Sequence, residues 1–401
     1  SGASTATAGA LTKAGAGTLT LSGNNTYTGA TTINAGTLAL GAANRIANTS
    51  AVTVGGGATF NLNGFNETIG SLAGAGAVTN NGAAAAALTT GGNNTSTAFS
   101  GSLQDGTGTL ALTKAGTGAF TLSGNNIYAG TTTINAGTLT ASGGSAIADT
   151  SQVTLANTAG ATLNLANSET IGNLSGGGTT GGNVTLGANT LTVNQGAATT
   201  YSGVISGSGG LTKAGTDTLT LVGANTYTGV TNINAGALVA ANAAALGGTA
   251  GGTNVGTSAR LIVDGVALGA EPITLNGLGL FGSGAITSNA GASIAGPVTL
   301  AGDTIIAPNS GSTLTLSGPV DRAFGLNTGG QGTLALNGAV GGTTPLAFLT
   351  TGSNGATAIA ASVRTTGNQT YNNPTTLGSG VVLQSAAGNL LAPGAVVASA
   401  G

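Results

Sequence analysis

Lysine, tyrosine and asparagine are the side chains whose type and spacing invite a chemical reading of this sequence. Lys13, Lys114 and Lys213 recur at intervals of about one hundred residues. Tyr27, Tyr128 and Tyr227 keep the same phase, as do Asn34, Asn135 and Asn234. An ammonium group in each copy could hold an anionic ligand, and a phenol ring could stack on a sugar. With lysine so sparse, the three read instead as isolated surface charges, which contribute little to stability. The tyrosines have two readings: carbohydrate platforms, or rings packed at a corner with the hydroxyl bonded to backbone, the commoner outcome. The asparagines read as turn residues, where a carboxamide satisfies backbone groups.

Catalytic chemistry finds little support. The chain has nine Asp and Glu and no His or Cys. Glycoside cleavage needs paired carboxylates at a defined separation, and an activated hydroxyl needs a base beside it. The densest charged group is Asp303, Asp321 and Arg322, and Asp321 with Arg322 reads as a solvated turn pair. The aspartate-rich nonapeptide pattern of calcium-binding repeats is absent. The expectation is a protein without catalytic residues, metal or cofactor.

The elements that carry these side chains repeat as a block. LTKAGAGTLTLSGNNTYTGATTINAGTLAL (Leu11–Leu40) returns without a gap at Leu112–Ala141 and at Leu211–Ala240. A fixed internal period is the signature of stacked repeats. Thr18-Leu19-Thr20-Leu21 and Thr37-Leu38-Ala39-Leu40 alternate polar and apolar residues, the period of a strand with one buried face. Leu19, Leu21, Leu38, Leu40, Val52, Val54, Phe60 and Leu62 should therefore share one core. Gly and Asn bound each run and tolerate positive φ, so they mark sharp corners. The two TLxL strands are too far apart for a tight hairpin, and no helical segment connects them. The interval suits one circuit of a coil with two or three short sides, each strand pairing in parallel one turn later. Glu67, Glu169 and Glu271 recur at the same long interval, so the repeat unit is the whole block of about one hundred residues.

Composition agrees with an all-β chain. There are 76 Gly in 401 residues, and only 4% of residues are charged, against about a quarter in ordinary domains. Regularly spaced Leu, Val and Ile exclude disorder, and the abundance of Gly, Thr and Asn disfavours long helices. The expected architecture is a single elongated parallel β-helix, a β-solenoid of about 20 coils over residues 1–401. Its repeat cores are 11–40, 112–141 and 211–240, with more divergent coils over 241–401. A net charge of −2 gives no electrostatic case for nucleic acid or anionic lipid. No apolar run is long enough to cross a bilayer as a helix. Ser1-Gly2-Ala3-Ser4 reads as the start of a processed or excerpted chain.

The core phrase LTKAGxGTLTLSGxNTYTGxTTINAGTL resembles the autotransporter-associated β-strand repeat of passenger regions in large Gram-negative surface proteins. The stretch TTGNQTYNNPTTLGSGVVL is similar to repeats of filamentous-haemagglutinin-like proteins. The first resemblance implies a right-handed parallel β-helix, export through the outer membrane, and a secreted or cell-surface location. The resulting expectation is a structural protein, a stalk or the subunit of an extracellular filament. The rival is an adhesin passenger that binds host or glycan surfaces through loops. Ser1–Ala10 and Leu391–Gly401 are small, uncharged and without helical amphipathicity. Solenoid ends of that kind are uncapped, so head-to-tail association of the chain with itself is expected.

Overall fold

A computed structural model describes residues 9–398. Short strands dominate. β1 (Leu11–Lys13), β2 (Thr18–Leu21), β3 (Thr31–Ile33), β4 (Thr37–Leu40) and β5 (Ala51–Val54) set the pattern. β1 pairs with β3 and β3 with β5, while β2 pairs with β4, all in parallel. Each strand thus meets its counterpart one circuit later, and the path is a solenoid of about 18 turns. The one helical element among the described residues is a single 3-10 turn, Leu280–Gly282.

The side chains explain the path. In β5 the burial alternates, with Val52 and Val54 inward and Thr53 outward. Leu21, Leu38, Leu40, Val52, Val54, Phe60 and Leu62 are all buried, as period-two alternation requires. Leu19, in the first described coil, is half-buried. Within each repeat core only two strands form per circuit, and the segment Ser22–Ala30 closes the third side without a strand. A third strand per circuit appears after the core, first as Glu67–Thr68.

The chain forms two compact units. The first runs to Asn194 and takes in Tyr201–Ser206, and the second holds Gln195–Thr200 and everything from Gly207. A 10-stranded sheet beginning with β1 and a 5-stranded sheet containing β2 and β4 belong to the first unit. A 7-stranded sheet that ends in Val396–Ala398 belongs to the second. Gln369–Tyr371 pairs with Leu349–Thr351, and Thr375–Leu377 with Ala356–Ile359, so the haemagglutinin-like stretch continues the same coiling. Residues 1–8 and 399–401, part of the segments from which head-to-tail association is expected, lie outside the described residues.

Candidate functional site: the inward lysines, tyrosines and glutamates

The repeated lysines are not on the surface. Leu110, Leu112 and Lys114 alternate inward along Leu110–Lys114, and Lys213 follows Leu211 in the same way. Lys213 is 0% exposed, Lys114 1% and Lys13 6%, which corrects the expectation of isolated surface charges. The physical reason lies at the adjoining corner. Lys13 Nζ donates to the carbonyl oxygens of Ala14 at 3.2 Å, Gly15 at 2.7 Å and Ala35 at 2.9 Å. Lys114 repeats this with Ala115, Gly116 and Ala136, and Lys213 with Ala214, Gly215 and Ala235. An ammonium has three N–H donors, and each meets one backbone carbonyl. A buried charge is tolerated only when its hydrogen bonds are made.

This geometry accounts for the words KAG and NAG in the repeat. Gly36, Gly137 and Gly236 have φ of 65°, 62° and 64°. A Cβ on Gly137 would stand 2.6 Å from the carbonyl oxygens of Gly116 and Gly118. Only glycine lets two successive coils approach closely enough to share one lysine. Burial draws Lys114 and Lys213 down to about 8, with Asp217 opposing the shift at Lys213. Asn34, Asn135 and Asn234 sit just past the strands at this corner, exposed. Their backbone amides donate to the carbonyls of Lys13, Lys114 and Lys213, each at 2.9 Å.

The tyrosines are core residues, so the carbohydrate-platform reading falls. Each hydroxyl meets a threonine hydroxyl four residues on, instead of the backbone expected: Tyr27 to Thr31 at 2.8 Å, Tyr128 to Thr132 and Tyr227 to Thr231 at 2.6 Å. In the first two copies the chain of hydroxyls continues. Thr132 meets Ser151 at 2.9 Å, and Ser151 donates to the carbonyl of Gly130 at 2.8 Å. In the third copy Thr231 donates to the carbonyl of Leu246. Desolvation raises the pKa of all three phenols.

Three glutamates complete the set. Glu67, Glu169 and Glu271 are buried at the same phase of each block. Glu67 accepts from the amides of Arg45 at 2.8 Å and Ile46 at 3.1 Å, and Glu169 from that of Ile147 at 2.7 Å. Glu271 accepts from the Thr253 hydroxyl at 2.8 Å. Burial pushes Glu67 and Glu169 up to about 7 and Glu271 to about 6. Parity was the available signal, since Glu169 and Ile171 share the inward face of one strand. Glu67 and Glu169 hold a loop of the preceding coil, and Glu271 holds the preceding strand at Thr253.

The aspartates singled out in the sequence do similar work. Asp303 Oδ1 accepts from the amide of Gly325 at 2.7 Å. Asp321 Oδ1 accepts from Thr343 at 2.9 Å and Thr344 at 3.3 Å, so its recorded partners are backbone amides of the next coil, not Arg322. No cluster of three or more candidate metal ligands occurs among the described residues.

Residues 11–40, 112–141 and 211–240 match the passenger-associated-transport-repeat family. These three segments are thus similar to passenger-associated transport repeats. The matched bounds coincide with the segments that carry the lysine corner and the tyrosine, so the family pattern marks the turn chemistry described above. Over 229 residues the chain is 40% identical to the adhesin BmaC autotransporter of Brucella suis biovar 1 (strain 1330). That match covers 55% of this chain and 6% of the adhesin. No solved structure matches the chain. No described helix is long and apolar enough to cross a membrane.

Proposed function

We propose that this chain is a segment of an autotransporter passenger that serves as a non-catalytic stalk. Passenger repeats and a relative among autotransporter adhesins make it a secreted or cell-surface protein of a Gram-negative bacterium. The observation that carries the stalk reading is the use of the buried ionisable groups. Lys13, Lys114 and Lys213 bind backbone carbonyls, two of the three buried glutamates bind backbone amides, and Glu271 binds a threonine hydroxyl. Each such bond staples one coil to the next. A stack of stapled coils propagates length, because each repeat needs only its neighbours.

The test is a change of height. An epitope is displayed beyond the chain on a bacterial surface, and the block from residue 112 to 211 is removed in frame. About five coils at about 4.8 Å each should bring the epitope roughly 24 Å closer to the membrane. An unchanged height measured by electron microscopy rules the stalk out. A head-to-tail filament is the other structural form of this reading, and concentration-dependent light scattering separates the two. The name of the Brucella relative favours a second reading, in which the passenger itself contacts a host or glycan surface.

A further inference from the structure

In the second unit, phenylalanine leaves the core. Phe60, Phe99 and Phe120 are buried in the first unit and Phe65 is half-buried. Phe281, Phe324 and Phe348 instead occupy one corner of the second unit, on coils that lead into the strands Ile286–Ser288, Leu326–Thr328 and Leu349–Thr351. These strands belong to one parallel ladder through Thr304–Ile306. Phe281 is 94% exposed and Phe324 40%, while Phe348 is half-buried. The chain has only seven phenylalanines, so three at one corner is a concentration.

The corner is built to hold Phe281 and Phe324 out and to lay Phe348 along the coil. Phe281 has φ of 53°, a left-handed value that a bulky residue adopts at a cost. Arg260 secures the loop on both sides of it: Nε donates to Gly284 O at 3.1 Å and Nη2 to Leu280 O at 3.0 Å, with a further bond to Ser283 Oγ. Asp303 ties down the amide of Gly325, next to Phe324. Asp321 ties down Thr343 and Thr344, in the turn that leads to Phe348. A Cβ on Gly325 would fall 2.0 Å from Phe348 Cζ, so the Phe348 ring lies against a residue that has no side chain. Three charged side chains thus position loops that display aromatic rings.

The surroundings indicate what the rings meet. Phe348 borders a shallow depression of about 420 Å³ with Thr350, Thr366, Asn368 and Thr370. Its lining is uncharged, and its polar side chains are hydroxyls and carboxamides. That combination matches a sugar, with C–H faces for the rings and hydroxyls for Thr and Asn. Adjacent coils are about 4.8 Å apart, so the Phe281 and Phe324 corners, two coils apart, lie roughly 10 Å apart along the ladder. An extended polymer running along the coils passes each ring in turn. An anionic lipid surface would call for clustered Lys and Arg, whereas Arg260 is engaged with backbone here. We propose that the corner bearing Phe281, Phe324 and Phe348 is a binding site for a neutral polysaccharide. A stalk lacking this site would still pass the height test, so the two readings fail separately.

The 401-residue chain is run in native gels cast with laminarin, hydroxyethyl cellulose or glycol chitin. Retardation is expected with at least one. Phe281→Ala combined with Phe324→Ala should weaken it by about tenfold or more, an affinity change of about 1.4 kcal/mol. Ile127→Ala, at an exposed apolar residue of the first unit, should bind like the parent. Circular dichroism checks the fold of each variant, and Phe281→Ala alone serves if Phe324→Ala unfolds. Absence of retardation in all three gels overturns the proposal. So does retardation that the variants leave unchanged, or Phe-dependent binding to phosphatidylcholine vesicles without polysaccharide binding.

Discussion

The ammonium of Lys114 donates to the carbonyl of Ala136, 3.1 Å away and one coil further along the chain. With Ala115 and Gly116 it closes a three-carbonyl cradle inside a solenoid whose neighbouring inward residues, Leu110 and Leu112, are apolar. The strand and the corner are therefore coupled through one side chain.

Lys114→Met should be strongly destabilising. The methionine fills most of the volume, but three partly buried carbonyls lose their donor, at about 1 kcal/mol or more for each group left unsatisfied. A net loss of about 3 kcal/mol or more is expected in denaturant melts. Asn135→Ala, at the exposed residue after the next strand, should stay within about 0.5 kcal/mol. Equal effects of the two would remove the cradle from the account of stability.

Gly137→Ala tests the other half of the corner. The added Cβ meets two carbonyl oxygens at 2.6 Å in a left-handed conformation. Neither the strain nor the clash can relax without separating two coils, so a loss of about 3 kcal/mol or more is expected. Gly160→Ala, at positive φ but with nothing near its Cβ position, should lose only about 1 kcal/mol. If both melt alike, close approach is not what the repeat glycine provides.

Tyr128→Phe should be mild. It removes a hydroxyl bonded to Thr132, which keeps Ser151 as a partner. About 1 kcal/mol is expected, the usual worth of one such bond. A loss above about 3 kcal/mol would mean that the hydroxyl chain acts as a unit.

The core was legible in the sequence because leucine and valine show their burial through alternation. Leu38, Val52 and Phe60 all stand where period two puts them. The lysines are hard to place from sequence because charge ordinarily implies exposure. Their parity with Leu112 and Leu211 pointed inward, but the carbonyls that stabilise them belong to the backbone, which no residue letter displays. The tyrosines are half legible: their spacing suits packing at a corner, but nothing in it singles out the threonine partner. Phe281 gave no sequence signal, since its exposure depends on a loop excursion between two strands that look like all the others.

The last prediction concerns pH and follows from buried acids and bases that do not pair with each other. Burial raises Glu67 and Glu169 from 4.5 to about 7 and Glu271 to about 6. Arg45 beside Glu67 opposes the shift, and Asp149 beside Glu169 adds to it. A carboxyl with a raised folded pKa takes up a proton on folding between the two values, so stability rises as pH falls through that window. Burial lowers Lys114 and Lys213 from 10.5 to about 8. These lose a proton on folding between about 8 and 10.5, so stability also rises as pH climbs through that window. Between the glutamate values near 7 and the lysine values near 8, both sets are more than half ionised inside the core, and there stability should pass through a minimum. Each group should contribute on the order of 1 kcal/mol to its limb, less where water reaches it. Thermal melts at about pH 5, 7.5 and 9.5 should give the lowest Tm at the middle value. Glu169→Gln should lower the acid limb by about its own share, with Glu67 and Glu271 still titrating, and leave the alkaline one, because an amide does not titrate. A Tm that falls steadily from pH 7.5 to pH 5 would show that these carboxyls are stabilised as anions, and the sign of the argument would be reversed.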